Sequence, residues 1–589
     1  MTYGNKRAAH ERDDSRMFAV LAVVLTIAVM ANEIAWIHVD TRLQPVVDEW
    51  FEKALNLADG FAGDRIAGWW RHFYWASLGP RFPLYPLLAV PLLWFYDRSV
   101  DSLLFVNVAS LSVLAYATYQ LAARIFDARS GFVAVALVLL YPLTTSIMKL
   151  ARPHALIPAT VALALLALYI VGCSKPAHKR VWCAALAILF VFAAHAGGLP
   201  ALYGASIFAV VAFLRQLATS EAAPTATEHE VKSSFRNIYS SPMLLRSAIP
   251  AATIVLVVIG GWLFIKLDQY RGMLEVAEKF FRPSYSEWHY ELTLIYAVGM
   301  PGFVLLALGL AFSILTLPWP QRMKQGLAYL LFSLLGTFLV SHYQPGAKSW
   351  QNFSGILPMC AAVTAGAAIT ILDQTCRRVQ ATTLGRCGVP LLIALMLTPI
   401  LFVYCIVNWG HRESTSSLAR VLGVRASCAG VQDGLACENP PASGDWFAAD
   451  VIDVVVRDPR CKASGCDVAV LGHRQAYYSD EALAYSLVQF SPRESRLSSS
   501  DFYPERNLRF KRVEGGIDRA RRQIGNSQYV IILEPVNLSA ANASNGYFSQ
   551  EGALSNEILQ QIQGDSSRGA EVLRRTLPTA EKLIVISLP

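Results

Sequence analysis

Residues 17–37 read MFAVLAVVLTIAVMANEIAWI, an apolar run that carries Asn32 and Glu33 close to its end. A helix of about 20 such residues crosses the hydrocarbon core of a bilayer. Four basic residues precede the run: Lys6, Arg7, Arg12 and Arg16. Positive charge marks the cytoplasmic end of a span, and no small-residue cleavage site follows, as it would in a signal peptide. The run predicts a first transmembrane helix with a cytoplasmic N-terminus.

Ten further apolar blocks follow along the chain. They cover residues 103–123, 131–148, 155–172, 181–197, 199–215, 248–266, 291–316, 325–341, 354–372 and 388–407. The 589 residues are 54% hydrophobic and only 16% charged, whereas a soluble protein carries about a quarter charged residues. Basic residues do not alternate with aromatic ones, so a nucleic-acid partner is excluded. The sequence predicts a polytopic α-helical membrane protein with about eleven transmembrane helices.

The apolar block Phe82–Tyr96 is shorter than the others and contains three prolines. If it crossed the membrane, the basic connectors 175–180 and 377–386 would lie outside. If it does not cross, they lie inside, as the positive-inside rule requires. We therefore predict that this block is a juxtamembrane helix on the external face, packed against other parts of the protein.

This topology divides the chain into three parts. Residues 1–16 form a cytoplasmic N-terminus, and residues 17–410 form a transmembrane domain with a long external loop over 38–102. Residues 411–589 form a soluble domain on the external side. The external segments hold most of the polar residues that could carry chemistry.

The soluble C-terminal region is predicted to be a small α/β domain. Short β-branched runs at Val451–Val456, Asp467–Leu471, Tyr529–Leu533 and Lys582–Ile586 predict strands. Helical patterns lie between them, at 480–489 and 556–563. Alternation of this kind is typical of packed helices and strands around one core.

Four cysteines fall in this region at short spacing: Cys428, Cys437, Cys461 and Cys466. An even number of cysteines in an oxidising compartment favours two small disulfide loops. Four cysteines can also make a tetrahedral zinc site, but the CxxC pairs typical of such sites are missing from the sequence.

Five polar elements occupy the predicted external segments. The first is the acidic pair Asp48-Glu49 in the long loop. The others are GPRFPLYP (79–86), KLARPH (149–154), AHAGGLP (194–200) and EKFFR (278–282), the last followed by Trp288-His289-Tyr290. Each alone has an ordinary explanation, such as a solvated helix face for the acids or interfacial snorkelling for the arginines.

Together, these elements resemble the GT-C glycosyltransferases that use polyprenyl-phosphate sugars. The order of these elements along the chain is similar to that in protein O-mannosyltransferases and in the aminoarabinose and galacturonic acid transferases that modify lipid A. In both, an acidic pair follows the first helix, and a Pro-Leu-Tyr-like helix start follows a basic residue. The stretches ARIFD (123–127) and ARPHALI (151–157) resemble two further turns of the family. The resemblance covers roughly residues 40–410. It departs at His154, where the family usually has an acidic residue, and at His195 or Ala196, where a lysine is common.

The resemblance implies a GT-C-like fold and an enzyme of the bacterial inner membrane with its C-terminal domain in the periplasm. It would move a sugar from a polyprenyl-phosphate donor, with inversion, to lipid A, a glycan or a protein hydroxyl. Asp48 is the implied base, with Glu49 as its neighbour. The implied phosphate-binding residues are Arg81, Arg152, Lys279 and Arg282. The implied pocket residues are Tyr85, His154, His195, His289 and Tyr290. No fixed cofactor is implied, and a divalent metal ion stays open.

Two other classes of function remain as alternatives. A secondary transporter or flippase of a lipid-linked sugar would also need many spans and contact membrane lipids, although paired interrupted spans are missing from the two halves of the sequence. A non-catalytic assembly partner would use the C-terminal domain to bind protein or polysaccharide, and Asp48 would then be dispensable.

Overall fold

The computed structural model of the protein describes residues 3–40, 48–63, 73, 82–96, 99–173, 177–194, 242–267, 271, 289–315, 321–343, 353–379, 384–409, 421–422, 447–464, 466–471, 508–512, 522–534, 569–576 and 582–589. In the first part of the chain the helices are α1 (Tyr3–Val39), α2 (Asp48–Gly63), α3 (Leu84–Phe95), α4 (Asp101–Ile125), α5 (Ala128–Leu140), α6 (Pro142–Met148), α7 (Leu156–Cys173) and α8 (Ala177–Ala194). They are followed by α9 (Pro242–Ile265), α10 (His289–Leu315), α11 (Gln321–Tyr343), α12 (Leu357–Val379) and α13 (Leu384–Trp409). Short 3-10 turns, Pro153–Ala155 and Ser354–Ile356, precede α7 and α12.

The predicted membrane spans agree with these helices. Among the described residues, six helices are long and apolar enough to cross a bilayer, and the bent pair α5–α6 makes a seventh. Three more predicted blocks are the helices α8, α9 and α11, whose described apolar parts are shorter. The block 199–215 lies outside the described residues. The chain is an integral membrane protein of the predicted polytopic class.

The main core of the bundle lies between α1, α4, α5, α7 and α12. It consists of small and aliphatic side chains, which allow the helices to approach closely. The turn from α4 into α5 is fixed by Asp127, whose carboxylate accepts a hydrogen bond from the backbone N–H of Ser130 at 2.7 Å. Glycines on α11 and α12, Gly326 and Gly366, pack directly on Ile125 and Phe126 at this turn.

One span is broken where α5 meets α6. Pro142 begins α6, Tyr141 before it is extended, and the two helices are bent by 55°. A residue before proline is disfavoured in the helical region, which explains the break. Helix α10 packs on this point through Gly299, whose φ of +73° is accessible to glycine at low cost. The short helix α6 carries the chain to the end of the bundle where the candidate site lies.

A second apolar cluster covers that end of the bundle. It joins buried residues of α2 and α3 to the adjacent ends of α1, α4, α7, α8 and α9. With 12 residues, α3 is too short to span a bilayer, in agreement with the prediction for 82–96. Trp94 of α3 donates a hydrogen bond to the carbonyl of Ala58 in α2 at 3.2 Å. The described parts of 38–102 and 149–154, both predicted to be external, therefore lie at one end of the bundle.

The described C-terminal residues form a small α/β unit. Helices α14 (Ala448–Arg457) and α15 (Pro459–Ser464) precede one sheet of strands β1 (Cys466–Leu471), β2 (Leu508–Arg512), β3 (Tyr529–Glu534), β4 (Ala570–Thr576) and β5 (Lys582–Ser587). The strand order is β2-β1-β3-β5-β4, with β1 parallel to β2 and β3, and β5 antiparallel to β3 and β4. A disulfide joins Cys461 to Cys466 across the turn from α15 into β1. Cys428 and Cys437 lie outside the described residues, as do the helices predicted at 480–489 and 556–563.

The strand predicted at Val451–Val456 is wrong, because these residues lie in α14. The buried residues Val451, Ile452 and Val455 have the i, i+1, i+4 spacing of a helix face, and α14 packs them against the sheet. An exposed ion pair at i, i+4 between Asp453 and Arg457 adds to the helix, at 2.6 Å. The other three predicted strands are confirmed as β1, β3 and β5. In Val451–Val456, the helical spacing of the buried residues therefore outweighed the preference of β-branched residues for strands.

Candidate active site at one end of the helix bundle

The acidic pair predicted to be catalytic stands at the first turn of α2, which begins at Asp48. The side chains of Asp48 and Glu49 lie outside the described part. The next two residues, Trp50 and Phe51, are buried in the cluster that covers this end of the bundle. The Trp50 ring lies 6.0 Å from that of Tyr85, between centroids, in an edge-on arrangement. The start of α2 is thus anchored beside the start of α3.

Tyr85 is completely buried, and its hydroxyl donates a hydrogen bond to the carbonyl of Leu103 at 3.0 Å. It therefore acts as a structural link between α3 and α4 in this structure. Arg81, four residues earlier, lies outside the described residues. Phe82, the residue after it, packs against Phe73 and Trp262, with ring centroids 5.5 and 5.2 Å away.

The turn that carries Arg152 and His154 reaches the same cluster. Ala151 and Leu156, on either side of these two residues, both belong to it. Pro153 starts a 3-10 turn, and Arg152 before it is extended, the conformation that a following proline favours. Arg152 is half-buried and His154 is buried. Local sequence therefore places Arg152 at the point where the chain turns from α6 into α7.

Asn107 of α4 holds this turn by its backbone. Its side-chain amide donates to the carbonyls of Met148 and Leu150, at 3.1 and 2.5 Å. Ser110, one turn further along α4, bonds the carbonyl of Ala155 at 3.3 Å. The two bonds from Asn107 satisfy carbonyls that the end of α6 leaves without helical partners. The position of the turn is therefore set by α4.

Two buried charged residues beside this turn were not among the predicted site residues. Lys149 is buried, with its ammonium 4.2 Å from the centroid of the Trp36 ring, and it interacts electrostatically with buried Glu33 of α1. The sequence signal for Glu33 was an ionisable residue inside a span, which usually marks a functional or paired position. Lys149 carried no such signal, because it lies in a predicted external loop.

A third buried charge, Lys266, follows the end of α9. Its side chain is completely buried, with the ammonium 5.6 Å from the centroid of the Trp262 ring. Lys53 of α2 is close enough to repel it electrostatically. Its position at the end of a span offered no sign that it would be buried. Two positive charges therefore meet where α9 approaches α2.

The remaining predicted residues are less defined. His195, Lys279 and Arg282 lie outside the described residues, and α10 begins at His289-Tyr290, whose side chains are not described. Within the described ranges, His, Cys, Asp and Glu side chains do not gather in threes that could hold a metal ion. The structure thus brings the start of α2, the start of α3 and the Arg152 turn together, with Lys149 and Lys266 added.

Cations and apolar surface lie at this end of the bundle, where α2 begins at Asp48. A carboxylate can accept a proton from an acceptor group, and arginine or lysine can neutralise a phosphate. The exposed face of α9 next to Lys266 is apolar, with Phe264 77% exposed. A charged head group on a long hydrocarbon chain matches such a combination.

No protein-family model and no curated protein sequence matches the chain. Solved structures do resemble it. The apo structure of ArnT from Cupriavidus metallidurans superposes with a TM-score of 0.51 at 11% identity, over 97% of this chain and 98% of that one. ArnT bound to undecaprenyl phosphate gives 0.47 at 11% identity, over 96% and 97%. The apo oligosaccharyltransferase of Archaeoglobus fulgidus gives 0.46 at 12% identity, over 87% and 69%. Over nearly its whole length, this chain has a fold similar to that of ArnT, a GT-C membrane glycosyltransferase.

Proposed function

We propose that this protein is a membrane glycosyltransferase that moves a sugar from a polyprenyl-phosphate donor to an acceptor on the non-cytoplasmic side of the membrane. The observation that carries the proposal is the shared cluster of buried residues. The residues after the acidic pair, Trp50 and Phe51, belong to the same buried cluster as Ala151 beside Arg152 and Trp262 near Lys266. This shared cluster supports a site that combines the proposed base with several cations.

A donor phosphate is the ligand that best accounts for the cations. Arginine binds phosphate through a planar fork of N–H donors, which suits the half-buried Arg152. Lys53 and Lys266 repel each other, and a phosphate between or beside them would offset that repulsion. Arg81, Lys279 and Arg282 are further members of this group from the sequence motifs. ArnT, whose fold the chain resembles, has also been solved with undecaprenyl phosphate.

Asp48 is the proposed base. It accepts the proton of the acceptor hydroxyl or amine while that group bonds to the anomeric carbon of the sugar. The bond from this carbon to the phosphate oxygen breaks, and the electron pair leaves with the polyprenyl phosphate. The cations stabilise the charge that develops on this leaving group, where preorganised electrostatics contribute most. Because the acceptor attacks opposite the leaving group, the configuration inverts.

The acceptor classes are lipid A, a glycan or a protein hydroxyl, in the periplasm of a bacterium. A comparison of lipid and glycan extracts from a deletion strain and its parent tests the proposal directly. We expect a sugar to be missing from one acceptor in the deletion strain and its polyprenyl-phosphate donor to accumulate. Restoration by the wild-type gene, but not by Asp48→Asn, would assign the reaction to this chain.

A vesicle transport assay and the complementation by Asp48→Asn separate the two alternatives from the enzyme. A flippase would move a lipid-linked sugar between vesicle leaflets without changing any acceptor in a purified system. A non-catalytic partner would restore the deletion strain equally well with Asp48→Asn. Either result would reject the enzyme assignment.

A further inference from the structure

Asn107 of α4 is a buried polar residue whose side chain hydrogen-bonds another segment of the chain. Its Nδ2 donates to the carbonyls of Met148 and Leu150, 41 and 43 residues further along, at 3.1 and 2.5 Å. Because both partners are acceptors, the amide nitrogen must face the turn. Its Oδ1 is also buried and accepts no hydrogen bond from the described residues. A buried acceptor without a donor lowers stability, so a role beyond packing accounts best for asparagine at this position.

The carbonyl of Leu150 joins Asn107 to the backbone of Arg152. Besides the amide of Asn107, it accepts the N–H of Arg152 at 2.6 Å, which closes a tight three-residue turn. Pro153 has no N–H and disfavours a helical conformation of the residue before it, so α6 cannot continue and supply helical partners for these carbonyls. Two hydrogen bonds that meet at one oxygen therefore link Asn107 to Arg152.

The same face of α4 also receives the start of α3. The Tyr85 hydroxyl donates to the carbonyl of Leu103 at 3.0 Å, and Leu103 and Asn107 are one helical turn apart on one face. Trp50, which follows the acidic pair, packs edge-on against Tyr85, with ring centroids 6.0 Å apart. One face of α4 thus holds both the Arg152 turn and the helix beside which α2 begins.

We propose that Asn107 is a positioning residue for Arg152, which fixes the turn against α4 and thereby sets the affinity of the site for the phosphate of its lipid-linked donor. The inference rests on the proposed function, in which Arg152 binds that phosphate. Asn107 does not touch the ligand and acts through the carbonyl of Leu150. Without its amide the turn is free to move, and the phosphate must order it on binding, which lowers the affinity.

A positioning role and a purely structural role predict different losses of affinity. If Asn107 only stabilises the bundle, its replacement should weaken the binding of every polyprenyl lipid, with or without a phosphate. If Asn107 positions Arg152, the loss should require both the phosphate and the guanidinium group. Undecaprenyl phosphate and undecaprenol have the same hydrocarbon chain and differ in the phosphate, so the two ligands separate these roles.

Binding of both lipids to the full chain in phosphatidylcholine nanodiscs provides the test. Asn107→Leu keeps the branched shape of the side chain and removes both donors. We expect it to weaken the binding of undecaprenyl phosphate roughly tenfold, in the range of couplings within one network, and to leave that of undecaprenol unchanged. Arg152→Gln should weaken phosphate binding at least as much, and Asn107→Leu/Arg152→Gln no more than Arg152→Gln alone. Additive losses, or an equal loss with undecaprenol, would overturn the proposal.

Asn408 of α13 offers a matched control. It is also completely buried, its Oδ1 likewise accepts no hydrogen bond from the described residues, and its Nδ2 donates to the carbonyl of Tyr404 in its own helix, at 3.2 Å. Asn408→Leu should leave the binding of undecaprenyl phosphate unchanged, at a melting temperature similar to that of Asn107→Leu. Equal weakening by the two variants would contradict a specific role for Asn107.

Two further outcomes separate this role from the proposed function. If Asn107→Leu fails to insert, Asn107→Ala decides, because it removes the same donors without adding an apolar branch. If the wild-type chain does not bind undecaprenyl phosphate, the proposed function fails and the positioning role fails with it. Wild-type binding that neither Asn107 variant changes would overturn the positioning role only.

Discussion

The ammonium of Lys149 lies 4.2 Å from the centroid of the Trp36 ring, so a buried cation from the turn after α6 rests on the end of α1. A cation over an aromatic face is stabilised by the ring quadrupole, and more so when water is excluded. Trp36 also belongs to the apolar cluster that contains Trp50 and Ala151. Trp36 thus contacts the turn that carries Arg152 and belongs to the same apolar cluster as the start of α2.

Asp48→Asn should abolish most sugar transfer while the protein still inserts and purifies normally. An amide cannot accept the acceptor proton, and loss of a general base typically costs roughly 10²–10⁴-fold in rate. The matched control is Asp373→Asn, whose carboxylate forms a partly exposed ion pair with Arg129 at 3.3 Å. Transfer assays on both purified variants, with extracted donor lipid, make the comparison. Full activity of Asp48→Asn would remove Asp48 from the role of base.

Lys266→Met should lower kcat/KM for the lipid-linked donor by roughly 10²-fold, as loss of one group that stabilises a developing charge commonly does. Methionine fills a similar volume beside Trp262, so packing should be kept. Lys266→Arg retains the positive charge and should restore much of the rate. Steady-state kinetics with varied donor concentration would show this. Equal kinetics for wild type and Lys266→Met would place the phosphate elsewhere.

Gly366→Ala should destabilise the bundle by about 1–3 kcal/mol, the usual cost of overpacking a core. The added methyl group would overlap the ring of Phe126 at the turn between α4 and α5. Gly260→Ala on α9 is the control, because nothing lies within 4 Å of a Cβ built there. Thermal unfolding of both variants in the same detergent would be compared. A lower melting temperature for Gly260→Ala than for Gly366→Ala would contradict the packing described here.

Loss of the disulfide between Cys461 and Cys466 should destabilise the C-terminal domain by about 2 kcal/mol, the chain-entropy contribution of so short a loop. The double variant Cys461→Ser/Cys466→Ser tests this without a reductant, which could also act on Cys428 and Cys437. Cys405→Ser, at a free cysteine of α13, should leave the domain unchanged. Denaturant unfolding monitored by hydrogen exchange in the strands would measure both.

Asp458 should stabilise the C-terminal domain in a pH-dependent way. A hydrogen bond from Arg460 is the main reason that the pKa of Asp458 lies at about 2, below its usual value of 3.8, and the Tyr529 hydroxyl also donates to it, at 2.7 Å. A depressed pKa means that the ionised carboxylate favours the folded state. This contribution is complete above about pH 4 and is lost as the pH falls toward 2.

We therefore expect Asp458→Asn to lower domain stability at pH 7 by about 1 kcal/mol, a small value because solvent screens the half-exposed Arg460. The difference from wild type should vanish near pH 2. Asp453→Asn is the control, since its ion pair with Arg457 is largely exposed. Hydrogen exchange corrected for intrinsic rates at each pH would follow the sheet. If Asp458→Asn is still less stable than wild type at pH 2, the variant has lost packing and not a charge interaction.

Much of the membrane architecture was predictable because the bilayer imposes a length and a charge rule on each segment. The span at 17–37, the short helix at 82–96 and the strands at 467–471 and 529–533 all follow from local composition. Val451–Val456 shows where this approach fails. Its β-branched residues favour a strand, but burial of Val451 and Val455 on one face favours a helix against the sheet.

Local sequence alone determined that the chain spans the membrane many times and that the helix at 82–96 is too short to cross it. Each of these depends on residues that are neighbours along the chain. Only the tertiary structure decided that Glu33 meets Tyr404, that Lys149 meets Trp36, and that Lys266 is buried near Lys53. These pairs lie far apart in sequence, and their burial depends on how separate helices pack, because a charge enters an apolar interior only where another segment supplies its partner.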